Sequence, residues 1–540
     1  MKRDPGLLSG QQFDVLVIGG GVLGACVLRD AALRGLRAAL VEREDFAAET
    51  SANSLKVIHG GLRYLQQLNI RRVRESSIER STWLRVAPHL IEPLPVVVPS
   101  FSSGLDRRSI LRAGVAVNDV FAWDRNRGVF AERHLPASRG LSRSEVTALV
   151  PELAAADPTG GVLFYDAQMY NAERLVLELV LSAVEAGCVA VNHIEVDGPL
   201  LSRGNLIGVE LRDCLNGGRT EVRASVIVNT TGPSTSSLAQ KLVGKPPTGT
   251  VRLSVALNLV VPALGHTVAF SIREATHAGR RGRKLFVVPW RGRSMIGTAH
   301  YPFSEEPAHF TPRETEVERF LSEVNAAWPG RPLTRADVLL VHAGLVPDVA
   351  GSGEEPAFLE RHQVIDHAVD RTPSLISAVS GKFTTGRLAA EEVVDLVFRK
   401  LGRRSPPCST AQKALPGAPD IPIAELTALA ARRVNGELTP AVIDHLVRTY
   451  GARHERVLAY RQAMSDWNQP VPDSETDIRA QFAFGVEEEM AVTPGDLVYR
   501  RTEHHAIGHP ESAALTYADQ VLRSYRRSVD DRQAQPVSSQ

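Results

Sequence analysis

A chain of 540 residues with 62 Lys+Arg against 61 Asp+Glu and a hydrophobic fraction of 43% can bury at least one large core and has room for two or three domains. This excludes disorder as the main state, and a net charge of +1 provides no global field to gather nucleic acid. Four widely spaced cysteines, Cys26, Cys188, Cys214 and Cys408, form no C-x-x-C pair, so neither a zinc site nor a disulfide framework is expected and no metal site is assigned.

Phe13 to Ile18 is a short apolar, β-branched run, followed by glycines, a helical pattern from Val22 to Arg34 and a second apolar run from Arg37 to Val41. That is the opening of a βαβ unit. A Ser/Thr-rich stretch from Glu49 to Lys56 leads to a charged helical pattern from Asn69 to Val86, which ends before Pro88. Pro93 to Phe101 reads as a strand-like connection. Arg107 to Trp123 mixes Arg with Ile110, Leu111, Val115, Val117, Val120 and Phe121, the pattern of an amphipathic helix that packs on its own protein or lies on a membrane. Val162 to Tyr165 reads as a strand and Asn171 to Glu185 as a helix closed at Gly187. Val189 to Val196, Leu206 to Leu211 and Ser225 to Asn229 read as further strands of the same α/β unit. Leu253 to Val261, Thr267 to Ile272, Lys284 to Pro289 and Ser294 to Thr298 suggest an antiparallel sheet. Leu375 to Val379 and a helix from Phe383 to Leu401 return to the first domain. After Arg403 to Pro407, helical patterns broken by proline run from Ile423 to Tyr525, with a polar tail beyond Ser528. No apolar leader precedes Phe13 and no run reaches the roughly 18 apolar residues that span a bilayer, so a cytoplasmic location is expected, with peripheral contact at the inner face of the membrane left open.

Gly19-Gly20-Gly21-Val22-Leu23-Gly24 fits G-x-G-x-x-G between a strand and a helix, where backbone N–H groups at the helix N-terminus hold a pyrophosphate. Glu42, eighteen residues after Gly24, follows the second strand, where an acid can bind ribose hydroxyls. Spacing alone does not separate NAD from FAD. Thr50, Ser51 and Ser54 then lead into Lys56-Val57-Ile58-His59-Gly60-Gly61-Leu62-Arg63-Tyr64, a cluster suited to close approach of a large planar cofactor.

The string K-V-I-H-G-G-L-R-Y-L, preceded by V-I-G-G-G-V-L-G-A and V-E-R-E-D-F-A, resembles the FAD-dependent glycerol-3-phosphate dehydrogenase family, whose usual form is K-L-I-H-G-G-L-R-Y-L. Phe164 to Gln168 resembles the family's Y-Y-D-G-Q, Val228 to Pro233 its V-N-A-T-G-P, Ile296 to Thr298 its I-G-T, and Ser380 to Thr385 its G-G-K-L-T-T. Glu488 to Thr493 and Arg500 to Thr502 resemble its E-E-M-A-x-T and R-R-T. The resemblance implies FAD as cofactor and an α/β fold: an FAD-binding Rossmann-like domain of glutathione-reductase type, an antiparallel β substrate domain and a C-terminal helical domain. The expected segments are 13–105, 161–250 and 341–402 for FAD, 106–160 for a cap, 251–340 for substrate, 408–528 for the helical domain and 529–540 for a disordered tail. It assigns Val196, Thr231, Gly232, Gly381 and Thr384 to the cofactor, and Arg63 and Tyr64 to substrate or flavin contacts. Lys382, at a strand end turning into a helix, would place its charge where negative charge collects on flavin reduction.

Three departures from the family pattern stand out. G-V-R-P, whose Arg grips the substrate phosphate, reads Gly344-Leu345-Val346-Pro347; R-L-x-K-G-S-H reads Arg252 to Asn258, losing the Lys at Val255 and the His at Asn258. Asp348 replaces a common Leu, and His300 replaces the Asp of I-G-T-T-D. Each charged hydrogen bond to a phosphate is worth about 1.5–3 kcal/mol, so the expected substrate is a non-phosphorylated sugar, polyol or amino sugar bound near Asn258, Val346 and Asp348. An aminoglycoside-type precursor in antibiotic biosynthesis is one concrete candidate. Hydride transfer from the carbinol to flavin needs a base, for which His59, His300 and His342 are candidates. The electron acceptor is O2 or quinone, and the oligomeric state is open. The alternatives are a true glycerol-3-phosphate dehydrogenase that passes electrons to quinone, and a non-catalytic flavoprotein whose helical domain binds a partner.

Overall fold

The computed structural model describes residues 1–102, 104–249, 251–273, 282–349, 356–502 and 504–534. In the strand Gln12–Ile18 every residue from Phe13 onward is buried, as expected of a parallel strand covered on both faces. It lies between Ala38–Val41 and Arg219–Asn229, with Val189–Val191 and Leu375–Val379 outside them, all parallel, and Gln363–Asp366 antiparallel at the edge. The helices Val22–Leu33, Ala172–Glu185 and Gly386–Lys400 bury their apolar stripes on one face. On the other face the hairpin Ile194–Ser202 and Asn205–Asp213 packs Val196, Val209 and Leu211 against Leu16, Ile18 and Ile227.

A second sheet of nine strands runs in the order Leu340–Asp348, Arg252–Pro262, Arg293–Pro302, Lys284–Trp290, Ala269–Arg273, Ile91–Ser100, Gly160–Met169 and Val57–Ile58, with Arg139–Leu141 paired to Gly160–Met169. Its outer face carries Val255, Leu257 and Leu259 against Val317 and Phe320 of the helix Glu314–Ala327. Its inner face borders the cavity described below.

The expected segments are redrawn by this pairing. Ile91–Ser100, Gly160–Met169 and Leu340–Asp348, assigned from the sequence mainly to FAD-binding segments, are strands of the second sheet. Local periodicity identifies a strand but not its partner. The expected strand Val189 to Val196 is two strands, because the chain turns at His193 with φ 54°. The helix Ser512–Ala534 continues through the first half of the expected tail, and 535–540 lie outside the described residues.

The C-terminal helices Ile423–Val434, Pro440–Tyr450, Arg479–Glu488 and Ser512–Ala534 contribute to two small cores of their own. They dock on the first domain through buried charges. Arg501 donates to both oxygens of Asp45 at 2.5 and 3.0 Å and to the Glu489 carbonyl, while Arg174 lies 2.6 Å from Glu489. Arg501→Ala would leave the Asp45 carboxylate buried with Asn192 as its remaining side-chain donor. Breaking such a pair costs about 3–5 kcal/mol. The expected result is a lower thermal midpoint together with faster proteolysis between 402 and 423.

Candidate functional site

A cavity of about 1580 Å³ lies between the two sheets. Its nucleotide end is shaped by backbone contacts. Gly19 has φ 102°, and a Cβ there would meet the Thr230 carbonyl oxygen at 2.8 Å; a Cβ at Gly24 would stand 1.9 Å from the Gly19 carbonyl oxygen. Gly24 therefore lets the helix Val22–Leu33 press onto the strand. At Gly21, by contrast, a Cβ would meet only Ser51 Oγ, at 3.1 Å, and the residue opens to the cavity. Ser51 Oγ accepts the Val22 N–H at 3.0 Å. Glu42 accepts the N–H groups of Gly20 and Glu44 at 2.6 and 2.9 Å; burial pushes its carboxyl up to about 7 against the pull of those two donors.

Thr50, Ser54, Val196, Thr231, Gly232, Gly381, Lys382 and Thr384 line the same cavity. Thr50 Oγ1 donates to the Leu345 carbonyl, which ties the loop after Glu49 to the second sheet. A glycine turn at a helix N-terminus, an acid lining the cavity at the end of the next strand, and a cavity of this volume between the sheets fit FAD.

At the other end the structure builds a dyad. His59 Nδ1 lies 3.2 Å from Asp166 Oδ2, and the His59 side chain is 54% exposed, facing the cavity. Asp166 also accepts the Gly60 N–H at 2.7 Å and Arg80 Nη1 at 2.9 Å. Burial works to raise its carboxyl, but the His59 hydrogen bond and the nearby positive charge hold it below the usual range. A Cβ on Gly60 would collide with the Arg80 guanidinium at 2.0 Å, which is why the motif needs glycine there. Thr384 Oγ1 accepts the His59 N–H, and Lys382 Nζ donates to the Glu360 carbonyl at 3.0 Å while lying 4.4 Å from the Tyr64 ring centre. Tyr64 lines the cavity; the Arg63 side chain lies outside the described residues. Asp166 and Arg80 were not among the sequence candidates. Asp166 stood inside a recognised motif without a role, and Arg80 looked like one more charge on a polar helix.

The substrate candidates separate by face. Asn258, His300 and Val346 line the cavity; Asn258 Oδ1 accepts Thr298 Oγ1 at 2.8 Å. Val255 does not, because alternate residues of a strand point to opposite faces and position 255 is buried in the outer core. A Lys there would not have met substrate. Asp348 does not face the cavity either: it is 6% exposed, lies 3.6 Å from Arg252 and accepts the Ala357 N–H at 2.8 Å. His342 is buried outside the cavity wall, with Nε2 on the Ala506 carbonyl at 2.9 Å and Nδ1 3.3 Å from Asn53 Oδ1. Burial, and then the charge of Lys56, keep its pKa well below the ordinary value, so it is a neutral structural histidine and not the base.

This fold and cavity define an FAD-dependent oxidoreductase. The chain matches the FAD dependent oxidoreductase family over residues 14–396 and the C-terminal domain of alpha-glycerophosphate oxidase over 408–531. It is 34% identical to the glycerol-3-phosphate dehydrogenase of Synechocystis, across 91% of this chain and 88% of that one, and 33% identical to that of Mycobacterium leprae, across 91% and 81%. The solved structure of the Bacillus halodurans glycerol-3-phosphate dehydrogenase complexed with FAD matches with a TM-score of 0.75 at 25% identity, covering 97% of this chain and 92% of that one. The chain belongs to the FAD-dependent glycerol-3-phosphate dehydrogenase family and is an FAD enzyme acting on a CH–OH group.

The expectation of a non-phosphorylated sugar, polyol or amino sugar, with its link to antibiotic biosynthesis, is overturned by these relatives, as is the non-catalytic alternative. It rested on the changes at Val255, Asn258, Val346 and Asp348, of which only those at Asn258 and Val346 face the cavity.

Gly21→Ala should leave the fold intact but abolish FAD retention, since its methyl group would enter the cavity at the turn. Gly24→Ala should lower the thermal midpoint of the protein itself. Flavin absorbance and thermal unfolding of the two purified variants separate these outcomes.

Proposed function

We propose that this protein oxidises the C2 hydroxyl of glycerol 3-phosphate to the ketone and passes the electrons to membrane quinone. The carrying observation is its likeness, over nine tenths of its length, to relatives that bear that enzyme's name. Bound FAD supplies the acceptor for the hydride of the carbinol carbon. The protein's own part is proton transfer and orientation. With Nδ1–H donated to Asp166, His59 keeps the Nε2 lone pair for the substrate hydroxyl proton, and the Asp166 carboxylate stabilises the resulting imidazolium. Arg80 and the Gly60 N–H hold Asp166 in place for that task. Lys382 also lines the cavity, and its positive charge would favour the reduced, negatively charged state of a flavin bound there.

Anaerobic mixing with glycerol 3-phosphate should bleach the flavin, and glycerol, free sugars and amino sugars should do so only weakly. Absence of bleaching by glycerol 3-phosphate would sink this reading. His59→Ala should slow bleaching by about 10²–10⁴-fold, with FAD content unchanged.

The quinone reading is supported by the helix Arg108–Phe121. Leu105, Ile110 and Val115 line the cavity, whereas Val117 and Val120 are 43% and 68% exposed and Trp123 is 74% exposed. Among the described residues no helix is long and apolar enough to cross a membrane, so contact would be along this surface. Val120→Asp should reduce the rate with quinone held in vesicles and spare the rate with a soluble dye acceptor.

A further inference from the structure

The glycine turn Gly19 to Gly24 is backed by the chain that follows Glu42. Ala47 donates its N–H to the Gly20 carbonyl at 3.1 Å, and a Cβ on Gly20 would meet the Phe46 ring at 2.8 Å. Ser51 Oγ accepts the Val22 N–H, so residues 46–51 hold the turn at both ends. Ala48, Glu49, Thr50 and Ser51 line the cavity. Ala47 has φ 64° although it is not glycine. A side-chain-bearing residue keeps that backbone where its surroundings over-determine it.

The residues on either side of Phe46 and Ala47 are held by the C-terminal domain. Asp45, 4% exposed, receives both Nη atoms of Arg501, and Arg500 Nη2 donates to the Ala48 carbonyl at 2.7 Å. Asn192 ties the same carboxylate to the C-terminal domain, donating to Asp45 Oδ1 at 2.9 Å and to the Met490 carbonyl at 3.1 Å. One residue on, His193 Nε2 lies 3.1 Å from both oxygens of Asp496, while the N–H groups of His193 and Ile194 donate to the carbonyls of Glu44 and Glu42, each at 2.7 Å. Arg500, Arg501 and Asp496 stand outside the cavity wall that they brace.

The C-terminal domain therefore reaches the nucleotide turn through one intervening layer: Arg501 to Asp45 and Arg500 to Ala48, then Phe46 and Ala47 to Gly20. Undocking would remove the outer set of contacts and let residues 45–48 relax away from Gly20. A ligand that needs the loop in one conformation binds better when another contact already holds it there, and it strengthens that contact in return.

We propose that Arg500 and Arg501 are positioning residues for FAD: the docked C-terminal domain fixes the loop 45–51, so that its docking and FAD retention stabilise each other. This holds whichever alcohol the enzyme oxidises. The test compares the full-length, FAD-loaded parent with Arg500→Met, which keeps bulk but removes the donor, and with Arg500→Ala. Phe320→Leu, a core change in the helix Glu314–Ala327 on the outer face of the second sheet, weakens the fold away from the loop and serves as the control. FAD release after dilution is followed by the recovery of flavin fluorescence. Circular dichroism establishes which variants are folded, and the alanine variant gives the answer if the methionine variant is not. Loss of one charged hydrogen bond predicts release faster by about tenfold or more, whereas Phe320→Leu should keep the parent's rate. Added FAD should also slow proteolysis between 402 and 423 in the parent, and its protection should shrink by the same factor in the Arg500 variants, because the coupling is reciprocal. The parent's response to FAD needs no variant and tests the coupling even if none folds. The assignment is overturned if a folded Arg500 variant releases FAD within about twofold of the parent's rate, if Phe320→Leu releases it as fast as the Arg500 variants, or if FAD leaves the parent's cleavage rate unchanged.

Discussion

The buried carboxylate of Asp166 is the point on which the reacting end of the cavity depends. It sits in a strand of the second sheet, yet its donors come from elsewhere: His59 and the Gly60 N–H from the loop after Val57–Ile58, and Arg80 from the helix Ile70–Val86. A buried charge that lost these partners would be costly, so the glycine that admits Arg80, Gly60, the helix that carries it and the orientation of His59 are fixed as one unit. The His59 N–H to Thr384 then joins that unit to the strand-to-helix turn of the parallel sheet. The two sheets are thereby set at a distance that leaves the cavity between them.

The same economy applies to the C-terminal domain. Its charged motif residues are used to bind the first domain: Arg501 meets Asp45, Glu489 meets Arg174, and Arg500 donates to the Ala48 carbonyl at 2.7 Å on a loop that lines the cavity. His342 adds a further bridge, from the Ala506 carbonyl to Asn53 of that loop. His342, a candidate base in the sequence, is here part of a brace with these charged residues, which explains why charged motifs recur so far along the chain from the cofactor turn.

Substrate charge was misread in sequence because a list of gained and lost ions carries no geometry. Position 255 belongs to the outer core, Asp348 is committed to Arg252 and the Ala357 N–H, and only Val346 among the three alters the cavity wall. His300, read in sequence as a separate candidate base, proves to be the diagonal neighbour of Val346.

The cofactor end was legible in the sequence. A Gly19 to Gly24 turn between a strand and a helix, an acid at Glu42 and the His59 to Tyr64 string are local patterns, and local backbone rules translate them directly into a nucleotide turn and a cofactor wall. The strand and helix positions of the parallel unit followed for the same reason, since burial on both faces and 3.6-residue periodicity are written along the chain. Partnership was not. That Gly160–Met169 joins Ile91–Ser100, that Asp166 meets His59 and Arg80, and that His300 lies across Ala256 from Val346 all depend on register between strands distant in sequence. A step of one residue in register moves every side chain to the other face, so the tertiary structure alone decided which of the chain's charges face the substrate.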